Sequence, residues 1–173
     1  CLVKDGERGI CNVRENRSGV FETLVYGRLI AQHIDPIEKK PLYHLSPASR
    51  SYSIATVGCN FKCRFCQNAA IAQMPAEQGG RIAGEEWTPG QVVAAAQKAG
   101  CTSIAYTYTE PTIYFEFAFD TAKLAHEKGI KNVFVTNGYM SPEALKMISP
   151  WLDAANVDLK AFNDDFYRKQ CGA

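Results

Sequence analysis

The sequence carries no excess of one charge, no long apolar run and no evenly paired set of cysteines. Its 19 basic and 18 acidic side chains leave a formal net charge of +1 over 173 residues, and neither sign forms a block. The basic stripe that grips a phosphate backbone or an anionic membrane is missing, so neither nucleic acid nor a membrane is an expected partner. No stretch approaches the roughly 18 consecutive apolar residues that span a bilayer, and the N-terminus has no basic region followed by an apolar run. A soluble, cytoplasmic chain is expected. Its cysteines number seven, an odd count. Three lie between Cys59 and Cys66 and the others are Cys1, Cys11, Cys101 and Cys171, which is no disulfide framework and points to metal or redox chemistry in a reducing compartment. The chain starts without Met and stops at Gln170-Cys171-Gly172-Ala173, where a helix has just begun. A fragment is expected, incomplete at its C-terminus.

What is present is enough apolar residue, 46%, to bury one sizeable core. Residues 1–50 read as a small β-rich extension: Asn16-Arg17-Ser18-Gly19 is a hairpin signal ahead of the alternating run from Val20 to Tyr26. Asp35 to Pro41 reads as a linker. Residues 51–173 alternate short β-branched runs with helical segments, the form of repeated βαβ units and a parallel sheet. Strands are expected at 53–57, 103–107, 132–135 and 154–159. Thr88-Pro89 starts a helix that Gly100 stops. A second runs over about 112–128 with a solvated stripe of Glu116, Asp120, Lys123 and Glu127, and Ser141-Pro142 caps a third. Four βα units make the fold class α/β, a partial barrel or an open sheet.

The chemistry sits in Gly58-Cys59-Asn60-Phe61-Lys62-Cys63-Arg64-Phe65-Cys66, a C-x3-C-x2-C loop after the first strand of the main domain. Clusters of the 4Fe-4S type normally take four thiolates, so three on one loop leave one iron open to a chelating molecule. A structural zinc site would need a fourth ligand and usually a second cysteine or histidine pair, and a ferredoxin a four-cysteine run. A non-catalytic zinc or iron-sulfur module stands as the alternative from another class. Parallel α/β folds bind ligands at the C-terminal ends of their strands. There the sequence places Thr109-Glu110-Pro111, Thr136-Asn137-Gly138 and Asp158-Leu159-Lys160. Each has a bland reading as well: Glu110 as a helix N-terminal acid, Asn137-Gly138 as a turn, and Asp158 with Lys160 as an ion pair.

The spacing Cys59-x3-Cys63-x2-Cys66, with Phe65 before the last cysteine, resembles the signature of the radical S-adenosylmethionine (SAM) superfamily. Gln67-Asn68 and the segment from Asp35 to His44, Asp-Pro-Ile-Glu-Lys-Lys-Pro-Leu-Tyr-His, resemble the radical SAM member of the AmmeMemoRadiSam system, related to pyruvate formate-lyase activating enzymes. The resemblance implies a (β/α) barrel truncated after about four units, with a 4Fe-4S cluster on Cys59, Cys63 and Cys66. It implies SAM bound through its amino and carboxylate groups and cleaved reductively to a 5′-deoxyadenosyl radical, with Phe65, Thr109, Glu110, Thr136, Asn137, Asp158 and Lys160 around it. Thr109-Glu110 stands where the superfamily carries a Gly-Gly-Glu-like segment for the methionine amino group, and Lys160 suits the methionine carboxylate. Val135 stands where the activating enzymes have an Asp before Thr-Asn-Gly. Implied partners are an electron donor such as flavodoxin or ferredoxin and a protein substrate or Memo-like protein. The implied activity is hydrogen abstraction from an unidentified substrate or, alternatively, activation of a glycyl-radical enzyme. Cys1 and Cys11 resemble the last two of four N-terminal cysteines, part of a second metal site. Lys39, Lys40 and His44 have two readings, at the cluster mouth or in a solvated linker; Tyr106 and Tyr108 flank the second strand end, where core packing is expected over lining a substrate cavity.

Overall fold

The structure, a computed structural model, describes residues 2–173; the expectation for Cys1 lies outside the described residues. The N-terminal hairpin pairs β1 (Arg14–Arg17) with β2 (Val20–Thr23). Ser18 and Gly19 both take positive φ between them, the twist that a tight two-residue turn requires. A short β3 (Arg28–Leu29) follows, then β4 (Ala31–Pro36). The segment expected as a linker from Asp35 is thus the end of a strand, continued by a 3-10 turn over Ile37–Lys39. Pro36 is compatible with a strand here because β4 is the edge of its sheet, where a missing N–H costs no ladder bond.

The main sheet runs β4-β5-β7-β8-β9, with β5 (Arg50–Ala55), β7 (Ser103–Tyr106), β8 (Lys131–Thr136) and β9 (Ala154–Val157) parallel and β4 antiparallel to β5. Between β5 and β7 the chain forms α1 (Ala69–Ala72), α2 (Met74–Glu77), β6 (Glu85–Glu86), which pairs with β3, and α3 (Pro89–Lys98). The start of α3 is fixed locally: the Thr88 side chain accepts from the Gln91 backbone N–H while the Gln91 side chain accepts from the Thr88 N–H, with Pro89 at the first helical position. A 3-10 turn over Pro111–Tyr114 leads into α4 (Phe115–Glu127). Beyond it come α5 (Pro142–Ile148), capped by Ser141, and α6 (Asp164–Phe166), capped by Asn163.

Because side chains alternate along a strand, the two faces of the sheet differ. Tyr52, Ile54, Ile104, Tyr106 and Phe134 point to the helix-covered face, where they pack with Val92 and Ala96 of α3 and Phe117, Ala118 and Ala122 of α4 in the principal core. The other face carries small or short residues, Ser51, Ser53, Ala55, Ser103, Ala105 and Val133, all buried. Only a small second cluster of Ile37, Ala105 and Val133 forms there, with Leu42, Leu45 and Ala154 against it. Small side chains leave room on this face. The extension docks on the back of α4, where half of the expected solvated stripe is occupied. Arg14 holds Glu116 through two bonds of 2.7 and 2.6 Å, and the Tyr26 hydroxyl donates to Asp120 Oδ2 at 2.6 Å.

Candidate functional site

A cavity of about 580 Å³ opens at the C-terminal ends of the parallel strands, and every residue expected around a cluster and its ligand lines it: Cys59, Cys63, Phe65, Cys66, Thr109, Glu110, Thr136, Asn137, Asp158 and Lys160. These positions span 102 residues of sequence from Cys59 to Lys160. Only the strand ends bring them together.

The cysteine loop is held by its backbone. Gly58 has φ +97°, and a Cβ there would lie 2.6 Å from Val13 Cγ1, so the turn into Cys59 needs glycine because the N-terminal extension packs directly behind it. The Phe61 N–H points at Cys59 Sγ at 3.4 Å, and the Gln73 amide donates to the Phe61 carbonyl at 3.2 Å. Farther along, the N–H groups of Lys62 and Arg64 donate to the carbonyls of Cys171 and Gln170 at 2.7 and 2.9 Å. That pairing sets the buried Cys171 beside Cys63. Burial pushes the Cys59 thiol up to about 12, and burial followed by the neighbouring Cys171 pushes Cys63 up to about 11. A metal charge is what converts such thiols to thiolates at neutral pH. All three are free of disulfides, and among the described residues no three Cys, His, Asp or Glu side chains converge closely enough to hold a single ion. The donor set suits an iron-sulfur cluster: three thiols on one wall, an N–H aimed at one sulfur, and open cavity in front.

The facing wall is polar. Glu110, 2% exposed, accepts from the Thr112 N–H and hydroxyl at 3.1 and 2.6 Å and the Thr136 hydroxyl at 2.6 Å on one oxygen, and from the Asn137 N–H at 2.7 Å on the other. Burial raises its pKa, and these donors oppose the rise. It therefore caps the turn at Pro111 and faces the cavity at once. Thr109 is turned toward the backbone, donating to the Thr56 carbonyl at 2.9 Å. The Asn137 amide donates to Asn60 Oδ1 at 2.7 Å, and Asn60 in turn to the Tyr139 carbonyl at 3.3 Å, tying the cysteine loop to the end of β8. Lys160 pairs with Asp158 at 2.9 Å; burial pulls its pKa down, and Asp158 more than offsets this, so the ammonium is held charged. Phe65 is half exposed at the mouth, against Phe166 at 5.7 Å between ring centres.

A family model described as the Radical SAM superfamily matches residues 53–173. The chain belongs to that superfamily. Its members generally use a 4Fe-4S cluster and SAM, and membership suggests an enzyme. An uncharacterized protein of Methanocaldococcus jannaschii is 47% identical over 173 residues, covering 100% of this chain and 50% of that protein. The chain spans half the length of this relative.

The cavity also takes in residues that sequence reasoning placed elsewhere or left open. Lys39 and Lys40 line it, as does Tyr108, whereas Tyr106 is fully buried against Phe134 with its hydroxyl on Asn132 Oδ1 at 3.1 Å. His44 lies in a separate groove with Pro41, Tyr43 and Ala154, away from the cysteine loop. Asn68 holds the Tyr108 carbonyl at 2.8 Å. Cys101 is in the core, and so is Cys11. Among the described residues no helix is long and apolar enough to cross a membrane. The signal for the lysines was the Asp35 to His44 resemblance; for Cys171 there was none.

Proposed function

We propose that this chain is the cluster-bearing part of an enzyme that reduces SAM with one electron, breaking its carbon-sulfur bond to give methionine and a 5′-deoxyadenosyl radical. That radical would take a hydrogen atom from an unidentified substrate. The observation that carries this is the convergence of three cysteines from one loop with Glu110, Asp158 and Lys160 on one cavity. Cys59, Cys63 and Cys66 would hold a 4Fe-4S cluster, which supplies the electron and an open iron for the amino and carboxylate groups of SAM. Glu110 is suited to receive the methionine ammonium, since its oxygens are already oriented by Thr112, Thr136 and Asn137. Lys160, held charged by Asp158, is suited to the methionine carboxylate. Phe65 lines the mouth of the site.

Two finer readings go with it. The sheet is read as part of a (β/α) barrel; Val157, Leu159 and Phe162 along and after the edge strand β9 are exposed, which leaves an apolar edge for a further unit to cover. Within the superfamily the chain is read as AmmeMemoRadiSam-like on the resemblance of Gln67-Asn68 and the Asp35 to His44 segment, and that segment also supplies Lys39 and Lys40 to the cavity. A cytoplasmic flavodoxin or ferredoxin would deliver the electron. The test is anaerobic reconstitution with iron and sulfide, addition of dithionite and SAM, and assay of 5′-deoxyadenosine. Formation of the nucleoside is expected; an iron-loaded protein that forms none would sink the reading.

A further inference from the structure

The cavity has a second end, away from the cysteines, where one carboxylate faces two ammonium groups. Asp35 Oδ1 accepts from Lys39 Nζ at 2.8 Å, while Oδ2 accepts from Lys40 Nζ at 2.7 Å, from the Ser53 hydroxyl at 2.8 Å and from the Tyr108 hydroxyl. Oδ2 thus takes three donors and Oδ1 one. Burial pushes Asp35 toward the neutral form, but these four donors outweigh it and hold the group ionised. One negative charge against two positive ones leaves a net charge of +1. The nearest acids across the cavity are engaged, Glu110 by Thr112, Thr136 and Asn137, and Asp158 by Lys160.

Both ammonium groups have donors to spare. Each carries three N–H bonds, and each gives one hydrogen bond, to Asp35. Lys40 is only 1% exposed and lies over the Tyr108 ring, 4.8 Å from its centre. Lys40 is thus balanced by Asp35, and the surplus charge is the ammonium of Lys39, whose side chain is 59% exposed where it lines the cavity and is open to an incoming anion. Tyr108 itself has φ +63°, a backbone region that bulky residues rarely enter. It is kept there by Asp35 on its hydroxyl, Asn68 on its carbonyl and His33 edge-on at 5.7 Å. Strain held in place by several separate contacts marks a side chain whose position matters.

We propose that this end of the cavity binds an acidic group of the second substrate, a carboxylate or a phosphate. Lys39 and Lys40 are its ligands, Asp35 positions both, and Tyr108 forms the wall. The proposal rests on the reading that SAM occupies the cluster end, where Lys160 serves the methionine carboxylate. It is tested by isothermal titration of the cluster-loaded protein, without SAM, with inorganic phosphate and with glutarate as the carboxylate probe. Asp35 and Lys40 are buried, so the informative variants are at the exposed Lys39. The wild type should bind at least one probe, Lys39→Gln should bind it about tenfold more weakly or worse through loss of a charge-assisted bond, and Lys39→Arg should retain it. Binding unchanged in Lys39→Gln, binding lost in Lys160→Ala instead, or no binding by the wild type would each overturn the proposal. The same preparation read for 5′-deoxyadenosine separates the two accounts: anion binding without the nucleoside sinks the functional reading alone, and the nucleoside without anion binding sinks this one.

Discussion

The cysteine wall and the lysine end of the cavity are built in opposite ways. Cys59, Cys63 and Cys66 sit within one loop, and much of their geometry comes from local backbone bonds such as Gly58 N–H to the Ile71 carbonyl and Cys66 N–H to the Cys63 carbonyl. The other end is assembled at long range, with Asp35 from β4 receiving Ser53 of β5 and Tyr108 from beyond β7. A local loop can keep its chemistry when one side chain changes shape, provided the donor atoms remain. A buried ionic network cannot, because each member compensates the others. The first end should therefore fail in function and the second in stability.

The largest effect belongs to the cysteines. Replacing any one of Cys59, Cys63 or Cys66 by Ala should abolish both cluster and SAM cleavage while leaving the fold intact, read as loss of bound iron and of the cluster absorbance near about 400 nm. Cys101→Ala should lose stability only, since that thiol is core. Turnover retained in a variant of the loop cysteines would remove the functional half of the contrast.

The same contrast decides what could be read from the sequence. The cysteine spacing, the Thr88-Pro89 helix start and the Ser18-Gly19 turn are local signals, and each marked its structure. The last two residues of β4, Asp35 and Pro36, read as the start of a linker because both residue types disfavour strands; the partners of Asp35, 18 and 73 positions away for Ser53 and Tyr108, are invisible locally. Residue type favours core packing for Tyr108 over a place on a cavity wall, and nothing in the sequence signals its positive φ. Residues matching by resemblance, Glu110, Asp158 and Lys160, did reach the cavity because strand ends of a parallel sheet share one side.

Next in size, Asp35→Ala should destabilise the fold by about 3–5 kcal/mol, the usual cost of leaving buried charges without their partner, measured by urea unfolding. Iron should still load on the loop of the fraction that remains folded. A loss below about 1 kcal/mol would mean that the lysine end is no network. The acid side of the pH profile gives a second reading. Because the native environment holds Asp35 below its ordinary range, its stabilisation is complete above about pH 4, the unfolded value, and declines as pH falls from there toward the lower native one. Asp35→Asn should flatten that part of the curve.

A smaller effect is expected at the facing wall. Glu110→Gln and Lys160→Ala should leave the cluster assembled but weaken SAM binding about ten- to a hundredfold, as loss of about 1.5–3 kcal/mol in a charge-assisted hydrogen bond implies. Titration of the reduced cluster with SAM measures it. Unchanged affinity in both variants would put SAM outside this wall.

The central claim is that three loop thiolates leave one iron open to SAM. Electron-nuclear double resonance on the reduced protein, with SAM labelled by ¹⁵N at the amino group and ¹⁷O at the carboxylate, tests it at the atom concerned. Direct ligation predicts strong coupling of both labels to the cluster, absent when Cys63 is replaced. A fully reduced cluster showing neither coupling at saturating SAM would contradict it.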